Sequence, residues 1–305
     1  MPTPAEIARL TTSIAGVYRG SRETIDLVMV AFLAGGHVLI EDIPGVGKTT
    51  LAKALALSIG GSFRRLQCTP DLMPADVTGV SVYDERERTF TFHPGPVFCD
   101  VLLADELNRT PPRTQAALLE ALSEAQVTVE GTPKPLSPHF FCVATQNPLD
   151  HVGTYALPDS QRDRFLLAFR LGYPAVEAEF NLLGHDGAEA DLARVKPVFD
   201  QATVTRLRTL TRAVRVEDSV RRYLLDLVRA TRQAKSLIQG ARPRAGLGLQ
   251  RAAQARAMIQ GRDFVIPEDI QALAVAALSH RVSARAGQQA DVIINSLLES
   301  VAVPR

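Results

Sequence analysis

The run Pro44-Gly45-Val46-Gly47-Lys48-Thr49-Thr50, which follows the apolar stretch Val38-Leu39-Ile40, decides the fold of this chain. An apolar strand, a glycine-rich turn and a helix that opens with Lys and Thr form the usual loop that binds nucleotide triphosphates. The glycines let the backbone fold around phosphate oxygens with its N–H groups pointing inward. The helix that follows, predicted over 51–57, adds the positive end of its dipole. We therefore expect Lys48 to reach the β- and γ-phosphates and the Thr49 hydroxyl to ligate Mg²⁺.

One position departs from the general pattern of this loop, G-x-x-x-x-G-K-[ST], because Asp42 stands where the first glycine is usual. Residue 42 only enters the turn, whereas Gly45 and Gly47 lie against the phosphates, so we expect nucleotide binding to survive. A carboxylate that pointed inward would repel the anionic phosphates. The alternative interpretation of the whole stretch is a glycine turn before a helix whose lysine is merely solvated.

Composition sets limits on the partners of the chain. Its 305 residues suffice for two domains, and 34 Lys and Arg residues nearly balance 33 Asp and Glu residues. No global charge therefore draws it to nucleic acid or to an anionic membrane, although a local basic patch is still compatible with the sequence. Cys68, Cys99 and Cys142 stand apart without a C-x-x-C pair. We predict buried thiols in a reducing compartment rather than a disulfide or zinc site.

The sequence also argues against a membrane segment. The first residues, Met1-Pro2-Thr3-Pro4, have neither the basic nor the apolar region of a signal peptide. The most apolar stretch, 25–40, is interrupted by Asp26 and Gly35-Gly36 and is shorter than the about 20 apolar residues that span a bilayer. We expect a soluble, cytoplasmic protein.

Apolar runs alternate with helical patterns in the first half of the chain. Further strands are predicted over 63–67, 101–104, 140–144 and 165–169, and helices over 25–33 and 115–125. Continuous apolar runs such as Val101-Leu102-Leu103-Ala104 are typical of strands buried on both faces. Strands that alternate with helices indicate an α/β fold with a parallel sheet covered on both sides.

After Gly172-Tyr173-Pro174 the strand-like runs give way to long Ala-, Leu- and Arg-rich helical patterns. These predict helices over 201–214, 220–232, 245–259 and 267–278. Asp186-Gly187 and Lys196-Pro197 mark the predicted junction. We expect an α/β nucleotide-binding core over residues 1–190 and a smaller all-helical domain over 191–305.

Two carboxylates, Asp105 and Glu106, follow the apolar run at 101–104. In open α/β sheets the carboxyl ends of the strands are where ligands bind. Asp105 is therefore a candidate to hold the hydration shell of Mg²⁺, and Glu106 a candidate general base that polarises the attacking water. The alternative is a solvated acidic turn after a strand.

Polar residues also end or flank the later strands. Asn147 follows the run at 140–144, and its amide is a candidate to orient the water or to touch the γ-phosphate; the alternative is a loop residue that caps the next turn. Arg164 precedes the last strand, and an arginine suits the charge that builds on a transferring phosphoryl group. Arg162 lies close by, and for both arginines the alternative is a surface salt bridge.

Together these motifs resemble MoxR-type AAA+ ATPases. The resemblance rests on the glycine loop, on Gly36-His37-Val38-Leu39, on Thr69-Pro70-Asp71-Leu72-Met73-Pro74-Ala75-Asp76-Val77-Thr78-Gly79, on Val101 to Leu122, on Ala144 to Pro148 and on Gly153 to Phe165. The motifs keep the family's order from about Gly20 to His280-Arg281, which is most of the chain.

This resemblance implies an AAA+ core followed by a helical lid, and a Mg²⁺-dependent ATPase that forms a ring, usually a hexamer, with ATP at the subunit interfaces. Asn147 corresponds to the sensor-1 residue, and Arg164 to an arginine finger that reaches the neighbour's nucleotide. Arg244, in Pro243-Arg244-Ala245, corresponds to the sensor-2 residue, which is expected to bend over the phosphates as the lid closes.

The resemblance also implies two elements that face the pore and touch substrate: an insert over 79–95 and a hairpin over 127–132. Relatives are thought to act with partners that bear von Willebrand factor A domains, in the maturation or metal loading of other proteins. Leu149-Asp150-His151-Val152 departs from relatives that are often more acidic there, which bears on partner contacts rather than hydrolysis.

We therefore expect a chaperone-like remodelling machine that couples ATP hydrolysis to work on a protein client. A nucleotide-gated binding scaffold with slow hydrolysis is a second hypothesis, which the lack of a fused partner domain allows. A nucleic-acid-dependent AAA+ motor is a third, which the balanced charge disfavours.

Overall fold

The structure is a computed structural model, and it describes residues 4–148, 153–183 and 188–304. Its strands are β1 (Val38–Glu41), β2 (Phe63–Gln67), β3 (Gly79–Asp84), β4 (Thr89–Pro94), β5 (Val101–Asp105), β6 (Gln126–Val129), β7 (Thr132–Pro135), β8 (Phe141–Gln146), β9 (Leu167–Phe169), β10 (Leu237–Gln239) and β11 (Ser283–Ala284). Its α-helices are α1 (Pro4–Ala15), α2 (Arg22–Leu33), α3 (Lys48–Ser58), α4 (Pro74–Thr78), α5 (Pro112–Glu124), α6 (Asp159–Arg162), α7 (Val176–Leu183), α8 (Ala188–Leu192), α9 (Gln201–Ala213), α10 (Asp218–Gln233), α11 (Pro243–Ile259), α12 (Pro267–Leu278) and α13 (Ala290–Ser300).

Five parallel strands form the central sheet in the order β2-β5-β8-β1-β9. The register aligns Gln67 of β2 with Asp105 of β5, and Glu41 of β1 with Gln146 of β8. The last residues of these strands therefore meet at one edge of the sheet. This is the carboxyl-terminal edge, where the sequence predicts the ligand.

The sheet is buried on both faces, as its apolar runs predict. Side chains of successive strand residues point to opposite faces, and they divide accordingly between two apolar clusters. In β5, Val101 and Leu103 join the cluster beneath α1, α2 and α3, whereas Leu102 and Ala104 join the cluster beneath α5. The α/β core with a parallel sheet is thus confirmed.

The C-terminal third is a helical bundle built around α11. This helix packs against α9, α10 and α12 and also against α2 of the core. Its buried positions are mostly alanine and glycine, which lets the neighbouring backbones approach closely. The one carboxylate buried in this bundle without solvent exposure, Asp269, is satisfied by Arg256 at 2.5 Å and Arg262 at 2.6 Å. The helical lid is thus confirmed.

The predicted division at residue 190 falls within α8, which packs against α3. The backbone N–H groups of Val198 and Phe199 still donate to the carbonyl of Ser58 at the end of α3, at 2.7 Å and 3.2 Å. The helices of the bundle begin only at Gln201. Asp186 and Gly187 lie outside the described residues, so the division stays a prediction.

Within the described ranges, three two-stranded antiparallel sheets stand apart from the central sheet. The predicted insert forms the hairpin of β3 and β4, and the predicted hairpin at 127–132 forms β6 and β7. The third, β10 with β11, lies in the lid. None of the helices in the described ranges is long and apolar enough to cross a membrane. The cysteines Cys68, Cys99 and Cys142 are buried free thiols, and burial raises the pKa of each.

Candidate functional site

The glycine loop joins β1 to α3 in the geometry that its sequence predicts. Gly45 has a φ of 91° and Gly47 a φ of 89°, values that a residue with a Cβ rarely adopts. A Cβ at Gly47 would also lie 3.2 Å from the ring of Tyr18. The loop therefore needs glycine for its backbone conformation at both positions, and at Gly47 also because a buried aromatic ring packs against it.

Lys48, the first residue of α3, points back across the loop. Its Nζ donates to the carbonyl oxygens of Asp42 at 2.8 Å and Ile43 at 2.9 Å. Burial lowers the pKa of Lys48, while the nearby carboxylates of Asp105, Asp42 and Glu106 act in the opposite direction. The ammonium group is thus held by neutral carbonyls that a more negative phosphate can replace.

Asp42 does not point into the loop. Its Oδ1 accepts from the backbone N–H of Ile43 at 2.8 Å, and its Oδ2 accepts from the N–H groups of Leu171 and Gly172, both at 2.8 Å. The repulsion expected of an inward carboxylate therefore does not arise. Instead the side chain connects the loop to the segment that follows β9.

Asp105 and Glu106 are held at the end of β5 by a buried threonine of the adjacent strand. The Thr145 hydroxyl donates to Asp105 Oδ1 at 2.8 Å and accepts from the backbone N–H of Glu106 at 2.9 Å. Glu106 has a φ of 58° and a ψ of 48°, a left-handed conformation that is uncommon for glutamate. Its carboxylate forms an ion pair with Arg109, with Glu106 Oε2 3.2 Å from Arg109 Nε. Backbone strain and a fixed hydrogen bond together aim this carboxylate, as is common at functional sites.

Sequence reasoning missed two residues of this site, Arg65 and Gln67 of β2. Arg65 Nη2 lies 2.6 Å from Asp105 Oδ2 and 2.9 Å from Gln67 Oε1. The Gln67 amide in turn donates to Glu106 Oε2 at 3.3 Å. The contacts of Arg65 with Asp105 and of Gln67 with Glu106 span 40 and 39 residues of sequence and arise from the pairing of β2 with β5. The sequence signal for these two residues was the alternation of polar side chains at positions 65 and 67 of β2, a strand that lies beside the acidic end of β5.

These side chains line one cleft of about 360 Å³, which we call the phosphate cleft. It is lined by Pro44, Gly45, Gly47, Lys48, Thr49, Arg65, Gln67, Asp105, Glu106 and Asn147. Within the loop, Val46 is buried and Thr50 lies in the first turn of α3. The structure therefore brings together the predicted loop, the two carboxylates and Asn147.

The donors of the phosphate cleft fit Mg²⁺. The Thr49 hydroxyl and the Asp105 carboxylate are the hard oxygen donors that Mg²⁺ takes from a protein when phosphates and water complete its shell. The Arg65 guanidinium on Asp105 Oδ2 shows that this carboxylate attracts a cation in the described arrangement. No cluster of three or more His, Cys, Asp or Glu side chains that could hold a metal occurs in the part of the chain that is described.

Arg164 and Arg244 line a different cleft, of about 250 Å³, which we call the arginine cleft. Its lining residues are Gly35, Gly36, His37, Leu122, Ser123, Asp163, Arg164, Leu166, Arg244, Leu247, Gly248, Arg251 and Arg281. Arg244, Leu247 and Arg251 form one exposed stripe of α11. In the described arrangement Arg244 lines the arginine cleft and not the phosphate cleft, and α11 packs against α2 through its buried face. That Arg244 bends over the phosphates as the lid closes stays a prediction.

The arginine cleft has a rigid wall. Arg164 Nη1 donates to the carbonyl of Leu119 at 2.9 Å and to the Ser123 hydroxyl. The buried lid residue Arg281 fastens the segment that carries Arg164, since it donates to the carbonyl of Phe165 at 2.7 Å and pairs with Asp163 at 3.2 Å. Burial lowers the pKa of Arg281 to about 10. Core and lid therefore position Arg164 jointly.

Arg162 occupies another place. Its Nη2 lies 3.1 Å from Glu41 Oε1, and the same oxygen accepts from the amide of Gln146 at 2.6 Å. Arg162 thus pairs within its own subunit, beside the phosphate loop, whereas Arg164 faces the arginine cleft. The predicted departure at 149–152 lies outside the described residues.

Comparisons with known proteins agree with this arrangement. The sequence profile of the ATPase family associated with various cellular activities (AAA) matches residues 37–167, and that of the AAA lid domain matches residues 229–298. The chain is 43% identical to the uncharacterized protein YeaC of Bacillus subtilis over 303 residues, 98% of this chain and 95% of that protein. It is 36% identical to Chaperone MoxR1 of Mycobacterium tuberculosis over 318 residues, 99% of this chain and 84% of that protein. The crystal structure of a proposed ATPase from Cytophaga hutchinsonii superposes with a TM-score of 0.90 at 33% identity, covering 99% of this chain and 96% of that one.

Proposed function

This chain belongs to the MoxR-type AAA+ ATPases and is an ATP hydrolase, and from that premise we propose that it works as a ring in which each subunit completes its neighbour's nucleotide site. The observation that carries the proposal is the separation of the two clefts. The loop and the carboxylates line one, and Arg164, Arg244 and Arg251 line the other. A second copy is needed to bring the arginines to the phosphates.

The phosphate cleft supplies binding and base chemistry. The loop N–H groups and Lys48 hold the β- and γ-phosphates, and Glu106 takes the proton of the attacking water. Asn147 orients that water, and Thr145 keeps the carboxylates of β5 in place. Thr49 and Asp105 would hold a Mg²⁺ ion, whose positive charge would offset the negative charge of the phosphates.

The arginine cleft supplies positive charge to the phosphates of an adjacent subunit. Within the described residues, neither Arg244 nor Arg251 has a hydrogen-bond or ion-pair partner. Four guanidinium groups, including the buried Arg281, line this one cleft. One carboxylate, Asp163, also lines the cleft and pairs with Arg281, so the charges of Arg244 and Arg251 are left without an anion. A triphosphate suits them, because its oxygens match the paired N–H groups of arginine.

The chaperone-like work of the family is assigned to the two core hairpins. Lys134 of β7 lies 5.1 Å from the centre of the Phe92 ring of β4, so the hairpins contact each other. On β3 and β4, Tyr83 is 49% exposed and Phe90 71% exposed. We propose that this apolar pair contacts an unfolded segment of a protein client in the pore of a cytoplasmic hexamer. A protein with a von Willebrand factor A domain is the expected partner.

Mixing two inactive variants tests the shared site. Glu106→Gln lacks the base but keeps Arg164, and Arg164→Ala lacks the finger but keeps Glu106. In a 1:1 mixed ring, about a quarter of the interfaces unite an intact base with an intact finger, because every interface is of the same heterologous kind. Each variant alone is expected to be inactive, and the mixture to regain about a quarter of the wild-type ATPase rate.

The matched control mixes Glu106→Gln with Lys48→Ala, which both damage the phosphate cleft. In that mixture no interface joins an intact phosphate cleft to a neighbour, so no recovery is expected. If the first mixture also stays inactive while native mass spectrometry shows mixed rings, the shared site is refuted. If no ring forms at any protein concentration and the wild type still hydrolyses ATP, the ring itself is refuted.

A further inference from the structure

Asp42 is the residue at which three parts of the nucleotide machinery meet. Its backbone N–H donates to the carbonyl of Gln146 at 3.1 Å, one residue before Asn147. Its carbonyl accepts from Lys48 Nζ at 2.8 Å. Its carboxylate accepts from the backbone N–H groups of Leu171 and Gly172 at 2.8 Å each. One residue thus contacts the strand that precedes Asn147, the phosphate-binding lysine and the segment that follows β9.

We propose that Asp42 is a positioning residue that transmits nucleotide occupancy from the phosphate loop to the connection between core and lid. The relevant connection follows β9, the last strand of the central sheet along the chain, and Leu171 and Gly172 lie near its start. The established ATP hydrolysis does not by itself assign Asp42 a role. The inference is also independent of ring formation, because every contact lies within one subunit.

The transmission begins at Lys48. In the described arrangement its ammonium group is bonded to the carbonyls of Asp42 and Ile43. A triphosphate competes for that group, because a charged acceptor binds ammonium about twice as strongly as a neutral carbonyl does. Nucleotide binding therefore changes the partner of the Asp42 carbonyl and orders the loop around the phosphates.

The transmission ends at Gly172. Its φ of 70° lies in the left-handed region, and this conformation aims its N–H at the Asp42 carboxylate beside that of Leu171. Two N–H groups on one carboxylate oxygen fix both the position and the direction of the chain. An ordered loop therefore holds the start of the connection in one orientation, and a mobile loop does not.

The chemistry also explains why the usual glycine is absent at position 42. A glycine there can provide the backbone bonds to Gln146 and Lys48, but it has no group that accepts from Leu171 and Gly172. The carboxylate adds a link to the segment after β9, from which the chain continues towards the lid, and it leaves the loop glycines Gly45 and Gly47 unchanged.

Hydrogen exchange of the full chain tests this role, with and without the non-hydrolysable analogue AMP-PNP and Mg²⁺. In the wild type, AMP-PNP is expected to slow exchange at the Leu171 and Gly172 amides by about tenfold, the factor expected for fixing one charge-assisted hydrogen bond. In Asp42→Asn an amide nitrogen replaces one acceptor, so this nucleotide-dependent protection is expected to disappear. AMP-PNP affinity is expected to change by no more than about threefold, because the loop glycines and Lys48 remain.

The steady-state kinetics separate positioning from simple structural support. Asp42→Asn is expected to lower kcat by about tenfold with KM for ATP almost unchanged. The matched control is Asp200→Asn, since Asp200 also accepts a backbone N–H at 2.8 Å, from Thr203 at the start of α9. It is expected to lower the melting temperature without changing exchange at 171–172 or kcat. If Asp42→Asn does not fold, Asp42→Glu carries the same comparison, because it keeps the charge but displaces the oxygens by one methylene.

Two results would overturn the proposal. One is full nucleotide-dependent protection of the Leu171 and Gly172 amides in Asp42→Asn. The other is a variant that loses AMP-PNP binding altogether, since Asp42 would then support the loop rather than transmit its state. Neither result depends on the mixing of subunits, so a failure here is distinguishable from a failure of the ring.

Discussion

The phosphate cleft and the arginine cleft of one subunit differ in how their charges are satisfied. In the phosphate cleft the acidic groups already have partners: Arg65 lies on Asp105, and Gln67 and Arg109 lie on Glu106. In the arginine cleft, Arg244 and Arg251 have none among the described residues, and the carboxylate that lines the cleft, Asp163, is paired with Arg281. The acidic groups of the first cleft must therefore exchange partners when a substrate binds, whereas the second cleft has unpaired positive charge available, as the proposed shared site requires.

Removing Arg164 is expected to give the largest change in activity among the variants that test this difference between the clefts. An arginine finger contributes about 10³-fold or more to phosphoryl transfer, so Arg164→Ala is expected to lower kcat by about 10³-fold and to leave ATP affinity intact. The measurements are steady-state hydrolysis and equilibrium binding of a fluorescent ATP analogue. Wild-type specific activity is also expected to rise with protein concentration as interfaces form.

Arg162→Ala is the informative comparison for this prediction. Because Arg162 already pairs with Glu41 of its own subunit, its loss is expected to affect the loop and ATP binding more than the chemical step. Equal losses of kcat in the two variants, or a kcat that is independent of Arg164, would mean that the arginine cleft does not act on a neighbour's nucleotide.

The phosphate cleft was more predictable from sequence than the arginine cleft for a physical reason. The loop, Thr49, Asp105 and Glu106 are each specified by a few adjacent residues, and the carboxyl-edge rule for parallel sheets places them together. The arginine cleft depends on how α11 docks on α2, and sequence periodicity does not encode that orientation. The sequence therefore names Arg244 as a candidate but does not predict which residues surround it.

The same reason accounts for the other differences between sequence and structure. Arg65 contacts Asp105 only because β2 pairs with β5, and the partners of Asp42 lie about 130 residues away. The short strands β10 and β11 have three and two residues, too few to show an alternating pattern. The strand predicted over 165–169 begins only at Leu167, because Phe165 turns its carbonyl to His280 and Arg281 of the lid.

His37 provides a test of the arginine cleft that does not involve nucleotide. Its Nδ1 accepts from the backbone N–H of Cys142 at 3.1 Å, so its Nε2–H donates to the carbonyl of Leu122 at 3.0 Å. Burial lowers the pKa of His37 to about 4. The His37 ring is therefore expected to be neutral in the folded protein, where it lines a cleft that already contains four arginine side chains.

The sign of the pH effect follows from this pKa. The folded-state pKa of about 4 lies below the usual value of 6.5, so the unfolded chain binds the proton more readily. Stability is full above pH 6.5 and is lost as the pH falls towards 4. Between pH 7 and pH 5 the loss is expected to be about 2 kcal/mol.

His37→Gln is expected to remove that part of the pH dependence, because an amide can donate and accept without titrating. Urea unfolding at pH 7, 6 and 5 measures it. The exposed histidine of the insert hairpin supplies the control, since His93→Gln is expected to leave the profile unchanged. His280 is also buried with a lowered pKa, but it is present in every variant and cancels in the comparison. An unchanged slope in His37→Gln would mean that the wall tolerates a charged histidine.

The smallest expected effect concerns the ion pair between Arg65 and Asp105 in the phosphate cleft. The Arg65 guanidinium lies 2.6 Å from Asp105 Oδ2, and its side chain is 48% exposed. An exposed pair of this kind contributes about 0.2–1 kcal/mol. If it must open before Mg²⁺ and nucleotide bind, Arg65→Met is expected to lower the Mg²⁺ concentration for half-maximal nucleotide binding by about two- to fivefold.

The test uses binding of a fluorescent ATP analogue to the Glu106→Gln protein at several Mg²⁺ concentrations, so that hydrolysis does not interfere. Arg64→Met is the matched control, because Arg64 is the preceding residue of β2 and points to the opposite face of the sheet. A higher Mg²⁺ requirement in Arg65→Met would mean that Arg65 orients Asp105 for the metal ion instead of competing with it. The ion pair between Arg65 and Asp105 would then preorganise the phosphate cleft for the metal ion. Both clefts would be arranged in advance for a ligand, a cation in the phosphate cleft and an anion in the arginine cleft.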